Sequence, residues 1–194
     1  PQYNCDWKEL MKITQLSTTI EFLRTQTSTS IAVQDLREYW ARGRHFPSNT
    51  RKLSGDPMGS VLVDLDENSA MASHPNPSKF YGAVYDRDET IKHHSGGHQE
   101  YKISRTILNA NVVISIPKMK VHKKVGVTLN QKNLVGICTN KNFLVHYTLG
   151  LPSEGGDQFP EGVLNQKQIK IIHFERWMYD HFLGGRNLFG EFLH

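Results

Sequence analysis

The stretch from Ala110 to Gly136 constrains the chain more than any other. It reads as a buried strand (Val112 to Ile116), a basic turn (Pro117 to Lys124) and a short helix opening near Thr128. That order places several cations just beyond the carboxyl end of a strand, where open α/β sheets bind ligands. Other segments extend the pattern. Ile31 to Val33, Val61 to Leu65 and Tyr81 to Tyr85 read as strands. Asp6 starts a helix as its N-cap, with Glu9 at the third position, and Val163 to Leu183 carries Ile171, Phe174, Met178 and Phe182 at helical spacing. The expected fold is therefore α/β, an open, mostly parallel sheet flanked by helices, with long irregular loops such as Ala41 to Gly59. Its expected extent is one domain over residues 1–194.

Charge is segregated. From Tyr101 to Ser153 there is no Asp or Glu, while Lys102, Arg105, Lys118, Lys120, Lys123, Lys124, Lys132 and Lys141 carry positive charge. These eight cations are twice the net charge of +4, so the rest of the chain is net acidic. A local excess of this kind points to one focused anion site rather than to general attraction for polyanions. Thr128 and Gln131 have capping-box spacing, which would aim free backbone N–H groups at the basic turn. Lys132-Asn133 follows on the first turns of that helix, where a cation opposes the dipole and a bound anion would compensate it. The leading expectation is an enzyme or enzyme-like domain, with Lys118, Lys120, Lys123, Lys124, Thr128, Lys132 and Asn133 as its contacts to a small phosphorylated or carboxylated ligand. His122 and His146 are the titrating groups within reach of that region, and Asp157, beside Gly155-Gly156, is a candidate base.

The run Ile-Pro-Lys-Met-Lys-Val-His-Lys-Lys-Val-Gly-Val-Thr-Leu-Asn-Gln-Lys-Asn-Leu-Val-Gly, from Ile116 to Gly136, resembles the signature of the DUF362 proteins, a bacterial and archaeal family of uncharacterised function. Ala32 to Arg37, His94 with Glu100-Tyr101, and Asn140 to His146 leading to Gly155-Gly156-Asp157 fit the same resemblance. It implies a longer fold of which this sequence is a part, with a domain or redox partner, because some members carry ferredoxin-type cysteine clusters. This chain has only Cys5 and Cys138. An iron–sulfur centre takes about four thiolates, so none is expected within the chain itself.

A metal reading stands beside the anion reading. His93-His94-Ser95-Gly96-Gly97-His98 gathers imidazoles around a flexible turn, and neutral imidazole suits transition metals, although the spacing matches no standard zinc signature. His94, His146 and Asp157, with His122 nearby in the basic stretch, form the expected divalent-metal set. Asp64 and Asp66, on one face of a strand by period two, are a separate carboxylate pair. Further alternatives are a scaffold domain with no chemistry of its own and nucleic-acid binding, which is a poor match for single strands, since Lys102 to Asn142 contains no Phe, Tyr or Trp for base stacking, and leaves backbone-only binding to duplex. No apolar run approaches the ~20 residues that span a bilayer, and two distant cysteines give no disulfide framework, which points to a reducing cytoplasm.

Overall fold

Two helices open the chain, α1 (Trp7–Ile13) and α2 (Leu16–Gln26), joined at Gln15, whose left-handed backbone (φ 57°) reverses the path between them. Met11 is their one buried apolar side chain among the described residues, and Arg24 ties α2 to the following segment by donating to the Ile31 carbonyl from Nε and Nη2 at 3.2 and 2.7 Å. The computed structural model describes residues 7–41, 50–82, 86–117, 119–122, 126–162 and 164–178.

Short strands follow. β1 (Tyr39–Ala41) pairs with β2 (Thr50–Lys52), and β3 (Ser60–Asp64) pairs with residues 100–104 further along the chain. β4 (Phe80–Gly82) leads to α3 (Arg87–His93), β5 (Glu100–Ser104) and α4 (Arg105–Leu108). β6 (Lys120–His122) and β7 (Gly126–Thr128) form a hairpin before the single turn of α5 (Asn130–Asn133). β8 (Val145–Thr148) returns to pair with β4, and α6 (Gln166–Met178) is the last described helix.

All four described sheets are two-stranded and antiparallel, so the expected open, mostly parallel sheet is not formed. The physical reason lies in element lengths. A parallel neighbour needs a crossover of a dozen or more residues, usually a helix that covers a sheet face. The helices between the strands, α3, α4 and α5, have 7, 4 and 4 residues and cannot do that. Val112 to Ile116 has the apolar composition of a buried strand, yet it takes no ladder partner, and Val112, Ile114 and Ile116 are 75%, 79% and 85% exposed. Ile31 to Val33 likewise forms no strand. Within the expected Ala41 to Gly59 loop, Thr50–Lys52 forms β2, while residues 42–49, with Arg42 and Arg44, lie outside the described residues, as do Asp6 and the ends of the expected Tyr81 to Tyr85 strand and C-terminal helix.

The core is small and partly polar. Phe80 and Tyr81 of β4 are buried, with Phe80 between the rings of His74 (4.8 Å) and His94 (6.4 Å). Thr90, His94 and Ser104 are fully buried, so their polar atoms need partners. Thr90 Oγ1 donates to the Asp86 carbonyl, and Asp86 in turn caps α3 by accepting from Glu89 N–H. Ser104 caps α4 by accepting from Ile107 N–H and donates its own proton to Asp56.

Two carboxylates hold the β3–β5 ladder in place. Glu38 accepts from Ser60 Oγ (3.0 Å), Thr139 Oγ1 (3.3 Å), Lys102 Nζ (2.9 Å) and Asn140 Nδ2 (3.3 Å). Asp56, 7% exposed, accepts from Met58 N–H, Ser104 Oγ, and both the N–H and hydroxyl of Thr106. Burial pushes the Asp56 pKa up, but these bonds outweigh it and bring it down to about 2.

Candidate metal centre

The register of the β3–β5 ladder places Asp64 directly opposite Glu100. Opposed residues on an antiparallel pair project from the same face, and like charges there repel. The chain adds imidazole to this acidic edge. After α3, Gly96 and Gly97 take left-handed conformations (φ 66° and 92°) that turn the backbone towards β5 and set His98 at its entry. His98 Nδ1 lies 2.7 Å from Asp64 Oδ2, and one ligand atom from each of Asp64, His98 and Glu100 lies within 4.8 Å of the others.

Backbone geometry aims the Asp64 carboxylate. Its Oδ1 accepts from Gln99 N–H at 2.7 Å and from Asp66 N–H at 3.1 Å. The Gln99 amide, and then His98, hold the Asp64 carboxyl well below the usual carboxylate range. The same contact raises the His98 pKa, first through its hydrogen bond to Asp64 and then through that charge. The Asp64 charge raises the pKa of Asp66, whose backbone at φ 43° is in the left-handed region that a non-glycine residue rarely adopts. Glu100 is held from behind, with its Oε2 at 2.5 Å from His93 Nδ1. The site is open to solvent on the His98 side, where that side chain is 60% exposed against 26% for Asp64.

One nitrogen and two carboxylates in this space form a donor set that suits zinc, manganese or ferrous iron better than all-oxygen cations. Sequence alone shows Asp64 as half of a carboxylate pair with Asp66 and does not link it to His98. The information needed to join it to His98 and Glu100 is the β3–β5 register.

The residues expected from sequence are placed elsewhere. His94 is fully buried, with Nδ1 3.0 Å from Gln99 Oε1 and Nε2 3.1 Å from the Phe143 carbonyl, so both ring nitrogens are committed to the core. Asp157 Oδ1 accepts from Thr148 N–H at 2.6 Å while Asp157 N–H donates to the Thr148 carbonyl at 3.0 Å, which closes the turn after β8. His146 is exposed on β8, its ring edge against Tyr147. His122 is half-buried at the end of β6.

Lys120 is exposed and faces Thr128 across the β6–β7 hairpin, so Thr128 lies in a strand and not at a helix start. Leu129 occupies the N-cap of α5 and makes no side-chain cap bond. Lys132 is exposed on that turn, and Asn133 donates from Nδ2 to Ser115 Oγ at 2.8 Å. Lys118, Lys123 and Lys124 lie outside the described residues. A different cationic group is built around Arg37, which grips Asp35 through Nε and Nη2 at 2.6 to 3.1 Å. Lys141 belongs to the same field, and burial, then the Arg37 charge, lower its pKa.

The family model for the domain of unknown function DUF362 matches residues 68–181 of the 194-residue chain. The chain belongs to the DUF362 family. The match takes in His93, His98, Glu100 and the basic stretch, and it begins just after Asp64 and Asp66. No curated protein matches the chain, and no solved structure does. Among the described residues no helix is long and apolar enough to cross a membrane.

Proposed function

We propose that this DUF362 chain binds a divalent transition-metal ion through Asp64, His98 and Glu100, and uses it to hold a small anionic ligand. The observation that carries the reading is the convergence of three ligand atoms, from the end of β3, the turn before β5 and the start of β5, within 4.8 Å of one another. The directly opposed Asp64 and Glu100 give the ion an electrostatic reason to be there, since a cation relieves a like-charge cross-strand pair. Three protein ligands leave coordination positions open, the arrangement found where water or substrate reaches the metal. The ion would act as a Lewis acid on a bound oxygen, while Asp64, held by Gln99 and Asp66 amides, keeps its ligand atom fixed. The test is calorimetric titration of the chelator-treated chain with Zn²⁺ and Mn²⁺. One ion per chain, with affinity falling at least about tenfold in both His98→Ala and Glu100→Gln, supports the site. Uptake unchanged by either substitution refutes it.

A further inference from the structure

We infer that His93 is a positioning residue for the ion ligand Glu100, holding one of its carboxylate oxygens so that the other is presented to the metal; this rests on the metal reading above. Three contacts fix the His93 ring. Its Nδ1 is 2.5 Å from Glu100 Oε2, its Nε2 is 3.3 Å from Glu89 Oε2, and its face stacks on Phe143 with centroids 3.7 Å apart and planes at 23°. The side chain is 12% exposed, against 44% for Glu89 and 21% for Glu100. An imidazole gripped on one face and on both edges is a rigid support.

The support is placed where the site needs it. Glu100 has a long, rotatable side chain, and ordering such a chain at the moment of binding costs free energy. His93 ends α3, whereas Glu100 begins β5, and the link between them runs through the permissive Gly96-Gly97 turn. The His93–Glu100 bond therefore does what the backbone does for Asp64 through the Gln99 and Asp66 amides. With Oε2 held by Nδ1, Glu100 meets the ion through a single oxygen. Partners that orient metal ligands in this way typically change metal affinity about 10- to 100-fold when removed.

Three variants of the full chain separate hydrogen bonding from packing. His93→Asn can place an amide N–H where Nδ1 was but gives up the stack; His93→Phe keeps an aromatic ring on Phe143 but cannot donate; His93→Gln carries its amide towards the Nε2 position, facing Glu89. In Zn²⁺ titrations, His93→Asn should remain within about 3-fold of wild type, and His93→Phe and His93→Gln should bind about 10- to 100-fold more weakly. Should His93→Phe fail to fold, the contrast between His93→Asn and His93→Gln decides the matter. Equal losses in the Asn and Gln variants, or wild-type affinity in His93→Phe, overturn the inference while leaving the metal site standing. A wild-type chain that takes up no Zn²⁺ overturns both.

Discussion

Replacing Asp56 by Asn should destabilise the chain more than its isosteric shape suggests. Two donors meet each Asp56 oxygen: Met58 N–H and the Thr106 hydroxyl at Oδ1, and Ser104 Oγ and Thr106 N–H at Oδ2. An asparagine must turn its NH₂ towards one of these pairs. The hydroxyl of that pair can rotate and accept, but its backbone N–H cannot. One buried N–H is then left facing another donor, at a cost of about 1–3 kcal/mol, and the remaining bonds lose their charge assistance. A total near 3 kcal/mol corresponds to a fall in Tm of about 6–12 °C for a chain of this size. The acid limb gives an independent check. The folded-state pKa of about 2 lies below the ordinary 3.8, so the Asp56 contribution is complete above the higher value and is lost as pH falls through the lower one. That contribution is about 2 kcal/mol, and it should vanish from the difference between wild type and Asp56→Asn as urea melts are taken from pH 5 towards pH 2. A Tm change under about 2 °C, or a wild-type-minus-variant difference that stays constant over this range, would show that Asp56 does not clamp β3 to α4.

Other outcomes follow from single contacts. Gly156→Ala should unfold the turn after β8 and cost several degrees in Tm, because an added Cβ would lie 2.5 Å from the Gly150 carbonyl carbon and from the Leu149 oxygen, neither of which can swing away. Cys138 is 6% exposed and burial pushes its thiol pKa up, so an aromatic disulfide reagent at pH 8 should label it slowly in the native chain and rapidly in urea. His94→Ala should cost about 2–4 kcal/mol in urea melts, since it opens a cavity beside Phe80 and strands Gln99 and the Phe143 carbonyl.

The sequence carried local elements better than their pairing. Val61 to Leu65 reads as a strand from its apolar run and becomes β3, and the helical spacing of Ile171, Phe174 and Met178 falls on α6. Val112 to Ile116 fails because apolar composition specifies a preference for burial without supplying a neighbour. Thr128 fails because the capping-box spacing it makes with Gln131 is overridden by the β6–β7 hairpin, which takes Thr128 into a ladder with Lys120. At the candidate site, the carboxylate pair and the histidine cluster were visible as separate features. Their junction depends on pairing β3 with β5 across more than thirty intervening residues, which no local pattern encodes. His94 stood out by its neighbours in sequence, whereas His98, four residues on, has the exposed ring beside Asp64.

The most direct test of the metal site is the position of the ion, read from ¹H–¹⁵N spectra of the isotopically labelled chain titrated with substoichiometric Mn²⁺. Paramagnetic broadening should remove the amide signals of Asp64, Leu65, Asp66, His98, Gln99 and Glu100 first, and the signals around His146, Asp157 and Lys132 should persist. Broadening that begins at those latter residues, or that spreads evenly over the surface, would contradict a metal centre built on the β3–β5 edge.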